Sequence, residues 1–293
     1  MSRTADEIAS QPATWAEALA RSAQAAPILP AAGEAVVVIG CGTSFYIADS
    51  FARAREGRGL GISDAAVASE FAVGSRGYDR VLAISRSGTT TEVVRALRGL
   101  PAGLPSVAIS AVAEGPVVGA ADAAVVLDFA DERSVVQTRF ATTTLLLLRA
   151  HLGEDVGPAI LDAATAVEAP LPVDPAVFEQ IVFLGTRWTL GLAEEAALKM
   201  REAALAWSES YPAMEYRHGP ISLAGSGTLV WMLGVEDADL VRDIQATGAT
   251  VVVGRLDPLA ELILVQRLAV ELAAAKGLDP DNPRHLSRSV VLS

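Results

Sequence analysis

Cysteine is almost missing from this chain: Cys41 is the single one in 293 residues. No internal disulfide can form, and a reducing compartment is expected. Basic residues are also in deficit, with 23 Lys and Arg against 35 Asp and Glu, for a net charge of -12. That balance argues against nucleic acid as a partner, because a phosphate backbone requires a basic face. A small anionic substrate stays possible, since backbone amides bind phosphate locally whatever the global charge. Long apolar runs are absent too. The longest, around Thr144 to Leu148, lies between Arg139 and Arg149 and is too short to span a bilayer. The opening MSRTADEIASQPATW has no apolar core of a secretory signal. A soluble, cytoplasmic protein with no membrane partner is therefore expected. Histidines number three, and no metal-ligand spacing surrounds them, so neither a metal nor another cofactor is expected.

What is present is apolar and periodic. Hydrophobic residues make up 51% of the chain and charged residues 20%, the balance of a folded globular protein of roughly two domains. Residues 1–30 are predicted as a polar N-terminal helical segment, with Pro12 near its start. Ala35 to Ile39 is a continuous run of the kind that forms a strand buried on both faces. Similar runs occur at Val81–Ile84, Val107–Ile109 and Val125–Leu127. Helical patterns at Ser44–Arg55, Thr90–Arg98 and Ser134–Leu152 separate them. A proline-rich stretch with Pro170, Pro172 and Pro175 reads as a linker, and the alternation then restarts. Strands are predicted at Ile181–Leu184, Leu229–Leu233 and Thr250–Val253, with helices over about Leu190–Ser208 and Pro258–Lys276. The fold class is α/β, two tandem doubly wound parallel sheets. Its expected parts are residues 31–155, a linker over 156–176, residues 177–275, and a tail over 276–293. VVVIGCGTSFYIADSFA and IVFLGTRWTLGLAEEAA align as two copies of strand, glycine turn and helix.

Four places carry chemistry. Gly40-Cys41-Gly42-Thr43-Ser44 joins a buried strand to a helix, where glycines let the backbone approach an anion. A glycine turn with a hydroxyl cap is equally what any strand-to-helix junction needs. Ser85-Arg86-Ser87-Gly88-Thr89-Thr90 crowds four hydroxyls into one such turn. A helix cap accounts for one of them, and the rest point to a phosphate cradle. It is not the GxxxxGK[ST] loop of nucleoside triphosphate enzymes. Glu195, Lys199 and Glu202 share one face of an otherwise apolar helix. On a solvated helix they would be an ordinary charged stripe; here they are expected to line a cavity or an interface. His218, in Tyr216-Arg217-His218-Gly219-Pro220, sits in a tight turn suited to general acid–base work.

Taken in order, GCGTS, SRSGTT, the Glu195–Glu202 stretch, the HGP turn and the closing PRHLSRSV resemble the sugar-isomerase (SIS) family. The likeness is to the isomerase half of glucosamine–fructose-6-phosphate aminotransferase and to stand-alone amino sugar-phosphate deaminases, from about residue 30 onward. The resemblance implies that Thr43, Ser44, Ser85, Ser87 and Thr90 hold a sugar phosphate, with Arg86 in place of the usual glutamine. It implies that Val135 lines the sugar, that Glu202 moves a proton between C1 and C2, and that Lys199 is the active-site lysine of the same helix. His218 would open the ring, donated by the neighbouring subunit, so a homodimer with shared active sites is implied.

Three departures shape the expected reaction. The glutaminase half is expected to be absent, since Met1 is followed by Ser2 and Cys41 falls within the sugar domain. The tail lysine that forms an imine in the family aligns with Arg288, and arginine, always protonated, forms none. Val136-Gln137-Thr138-Arg139 stands where the family has an SxxTK-like segment. The expectation is therefore an amino sugar 6-phosphate isomerase and deaminase, giving ketose phosphate and ammonia. The alternatives are a fructosyl-amino-acid 6-phosphate deglycase and a non-catalytic sugar-phosphate-binding protein.

Overall fold

Nine parallel-paired strands and nine α-helices make up the described part of the chain, residues 2–74 and 76–292 of a computed structural model. The expected α/β class with parallel sheets is borne out. The chain divides into two compact units, each described here by itself.

The first unit comprises residues 13–133, 137–156 and 287–293. Its sheet contains β1 (Val36–Gly40), β2 (Ser63–Val67), β3 (Arg80–Ile84), β4 (Ser106–Ser110) and β5 (Ala123–Val126). The order is β2-β1-β3-β4-β5, with Val36 opposite both Ser63 and Arg80. Every residue of β1 and β4 is buried, as their β-branched runs require of a sheet covered on both faces. The helices are α3 (Thr43–Gly57), α4 (Thr91–Arg98) and α5 (Arg139–His151). Helix α5 begins later than the sequence pattern placed it. The reason is Glu132, whose carboxylate accepts the amides of Thr138 at 2.5 Å and Arg139 at 2.8 Å and so fixes the first turn. Trp15 is fully buried in this unit and donates from its indole to Thr142 Oγ1 at 3.0 Å.

The second unit comprises residues 1–12, 134–136 and 157–286. Strands β6 (Gln180–Gly185), β7 (Ser208–Pro212), β8 (Thr228–Met232) and β9 (Thr250–Val253) pair in the order β7-β6-β8-β9. Its helices include α6 (Gly157–Glu168), α7 (Thr189–Ala204), α8 (Ala238–Ala246) and α9 (Pro258–Ala275). The expected helix to Ser208 stops at Ala204, because Leu205 turns left-handed at φ 49° and the chain enters β7 at Ser208. The N-terminal segment forms two helices, α1 (Arg3–Ala9) and α2 (Gln11–Ala25), with Ser10 capping the first. Gln11 Nε2 donates to Gln266 Oε1 at 2.7 Å, a buried amide pair between the N-terminal segment and α9. Strands β2 and β7 lie outside the strand pattern of the sequence. Both are edge strands, half-buried for most of their length and without an aliphatic run, so neither signal of a buried strand is there to read. Among the described residues no helix is long and apolar enough to cross a membrane.

Candidate functional site

In the first unit, β1 meets α3 through Gly40, Cys41 and Gly42. A Cβ on Gly40 would lie 2.6 Å from the Ser44 carbonyl carbon, so only glycine lets the helix start this close to the strand. Thr43 and Ser44, which open the helix, are buried. Burial, with the charge of Glu92 behind it, pushes the Cys41 thiol up to about 11. It is a poor nucleophile at neutral pH.

The hydroxyl-rich turn joins β3 to α4. Gly88 takes φ 66°, a left-handed conformation that glycine adopts without strain, and its carbonyl accepts the Val117 amide at 2.9 Å. Ser85, Arg86 and Ser87 are all buried. Ser85 Oγ lies 3.5 Å from Thr90 Oγ1, and Thr89 donates from its amide to Ser87 Oγ at 3.2 Å. Ser85, Ser87 and Thr90 are thus brought together around the N-terminus of α4, where helix amides favour an anion. The chain's last segment reaches the same turn: Ser289 Oγ receives hydrogen bonds from Ser87 Oγ at 3.1 Å and Thr89 Oγ1 at 2.8 Å. Arg288 forms a salt bridge with Asp131. Arg86 Nη1 lies 3.6 Å from Glu132 Oε2, both side chains being buried.

In the second unit, α7 carries the charged stripe. Glu195 and Lys199 are buried at 0% and 1% exposure, while the Glu202 side chain keeps 19% of its surface. Lys199 Nζ stands 3.2 Å from Glu195 Oε1 and 2.5 Å from Glu202 Oε2. Desolvation pulls the Lys199 pKa down, but the charges of Glu195 and Glu202 outweigh it and hold the value above 10.5. The ammonium therefore stays charged at neutral pH and aims the Glu202 carboxylate. Beside Glu202 lies a small cavity of ≈ 40 Å³, walled by Leu205, Leu278, Asp279, Asn282 and Arg284. His218 ends a short 3-10 turn, Glu215–His218, and stands exposed ahead of Gly219 at φ 136°. Val135 is half-buried beside Ser134, whose amide and hydroxyl bind the Glu7 carboxylate. Among the described residues no group of three or more His, Cys, Asp or Glu is placed to hold a metal.

The chain as a whole is similar to known proteins. Over 297 aligned residues, 88% of this chain is 28% identical to the glutamine–fructose-6-phosphate aminotransferase of Sulfurisphaera tokodaii, of which it covers 50%. The Aeropyrum pernix enzyme of that name is 29% identical over 98% of this chain and 56% of its own length. The crystal structure of glucosamine-6-phosphate deaminase from Thermotoga maritima superposes with a TM-score of 0.83 at 26% identity, covering 99% of this chain and 100% of that one. The resemblance to the sugar-isomerase (SIS) proteins is borne out. The chain spans about half the length of the curated relatives it matches. The tagatose-6-phosphate ketose/aldose isomerase of Escherichia coli, at 19% identity and a TM-score of 0.79, has a similar fold. No family model matches the chain.

Two features of this chain have no signature in its sequence. Glu132 organises the start of α5 and faces Arg86, and Ser289 returns to a turn some 200 residues earlier. A lone glutamate and a tail serine carry no periodicity or motif. No local signal in the sequence marks them.

Proposed function

We propose that the chain is an amino sugar 6-phosphate isomerase and deaminase, converting an aldose 2-amino sugar phosphate into ketose phosphate and ammonia. The observation that carries this reading is the Glu195–Lys199–Glu202 array, in which a buried ammonium presents one partly exposed carboxylate. In the open-chain sugar, Glu202 takes the proton from C2 and returns it to C1. The aldehyde becomes an alcohol, the C2 amine becomes an imine, and water releases ammonia from it. A positioned carboxylate suits transfer between adjacent carbons. Thr43, Ser44, Ser85, Ser87 and Thr90 hold the phosphate, Val135 lines the sugar, and His218 opens the ring from the neighbouring subunit of a cytoplasmic homodimer. The exposure of His218 supports that last role. Arg288, paired with Asp131, forms no imine with the substrate, which favours hydrolysis over amino transfer.

Incubating the purified chain with glucosamine 6-phosphate and galactosamine 6-phosphate, while assaying ammonium and ketose phosphate together, tests the proposal. Equal amounts of both products from either sugar support it. Ammonia from neither, with free amino acid from a fructosyl-amino-acid 6-phosphate, replaces it with a deglycase. No product from any of them leaves a sugar-phosphate-binding protein.

A further inference from the structure

Arg86 sits between two hydroxyls of the phosphate turn, yet its charge is already committed. Its Nη1 faces Glu132 Oε2 at 3.6 Å, and its Nη2 donates to the Arg288 carbonyl at 2.9 Å. Glu132 in turn holds the first amides of α5. The guanidinium therefore ties together three segments of the first unit: the turn 85–90, the start of α5, and residues 287–292. That last segment touches the turn and α4 at further points. The Thr91 amide donates to Val290 O at 3.2 Å, and the Leu292 amide donates to Thr91 Oγ1 at 2.9 Å. Ser289 lies within this bracket, its hydroxyl receiving hydrogen bonds from Ser87 and Thr89.

We infer that Arg86 is a positioning residue, clamping residues 287–292 so that Ser289 serves the turn as a further phosphate-binding residue. The inference rests on the phosphate-binding reading proposed above. Two incoming hydrogen bonds polarise the Ser289 hydroxyl and leave its own proton to be donated to an anion oxygen. The nearby Glu132 carboxylate offsets the Arg86 charge, so its pull on a phosphate is weak. The clamp grips the main chain of residue 288, which frees the Arg288 side chain for Asp131.

The test is calorimetric titration of the full chain with inorganic phosphate and with glucosamine 6-phosphate. Ser289→Ala, which removes one hydroxyl from a half-buried tail position, should raise the phosphate Kd about tenfold or more. Arg86→Gln should raise it similarly, and Arg86→Lys, which restores charge but not the fork of donors, should not rescue it. The double variant should bind no worse than the weaker single one, because Arg86 acts through Ser289. An unchanged Kd in Ser289→Ala overturns the inference. So does a multiplicative loss in the double variant, which would make Arg86 a direct ligand. Turnover is not measured, so a chain that binds phosphate this way but releases no ammonia refutes the deaminase alone. A wild-type chain that binds neither probe refutes this inference and the phosphate turn together.

Discussion

Replacing Lys199 with methionine should be among the most damaging single changes in the second unit. The ammonium is 1% exposed and faces two carboxylates, one of them on Glu195 with no solvent exposure at all. Methionine fills the space but leaves the Glu195 carboxylate buried without its counter-charge. Breaking a buried ion pair from one side costs about 3–5 kcal/mol, because the remaining charge is not resolvated. Glu202, with 19% of its side chain exposed, recovers water and adds little. Urea unfolding followed by circular dichroism should show a lower midpoint with an unchanged slope. Adding Glu195→Gln to Lys199→Met removes the stranded charge and should recover about half the loss or more. A single variant that loses under about 1 kcal/mol, or a double variant as unstable as the single, would refute the reasoning. The pH dependence has a definite sign. The folded Lys199 pKa lies above the ordinary 10.5, so its contribution is complete below 10.5 and disappears as pH rises through the folded value.

Glu202→Gln should keep sugar-phosphate affinity and lower turnover by about 10²–10⁴-fold, read from parallel binding and ammonia assays; full turnover would remove Glu202 from the chemistry. Mixing inactive Glu202→Gln and His218→Ala chains under subunit exchange should restore some activity, and persistent inactivity would count against a site shared between subunits. Gly40→Ala and Gly185→Ala should each cost at least about 1–3 kcal/mol in thermal or urea unfolding. The added Cβ would meet backbone atoms at 2.6 Å and 2.3 Å respectively, and backbone cannot rotate aside.

Much of the fold was legible because buried parallel strands announce themselves. Val36–Gly40, Ser106–Ser110 and Thr228–Met232 are buried at every position, and their aliphatic runs say so. What stayed hidden was set by partners distant in sequence. The edge strands Ser63–Val67 and Ser208–Pro212 exist because β1 and β6 offer them a ladder, not through any propensity of SDAAV or SESYP. The start of α5 depends on Glu132 reaching forward six residues to the Thr138 amide. Among the residues of interest, the hydroxyls of Ser85 to Thr90 stood out by crowding alone. The charged face of α7 stood out because its neighbours are apolar. Arg86 could be seen in the sequence, but its attachment to Glu132 and to the chain's last segment could not.

The two glycine turns separate scaffold from chemistry. In each unit the first strand of the sheet is flanked by the second and third, β2-β1-β3 in one and β7-β6-β8 in the other. In each, that strand ends in a glycine whose added Cβ would strike the backbone four residues on, at Ser44 or at Thr189. Gly40 and Gly185 thus do the same steric work of letting a helix start close against a strand end. That work is needed whether or not a ligand binds, so the glycine of GCGTS is not evidence of a phosphate site. The hydroxyls are distributed differently. Thr43 and Ser44 follow Gly40 and the turn 85–90 adds Ser85, Ser87, Thr89 and Thr90, whereas Thr186, Arg187 and Trp188 follow Gly185. Thr189 spends its hydroxyl on Thr186, accepting the amide at 2.8 Å and donating to the carbonyl at 2.9 Å. The same strand, turn and helix meets the same packing requirement in both units, whereas the hydroxyls crowd the turns of the first.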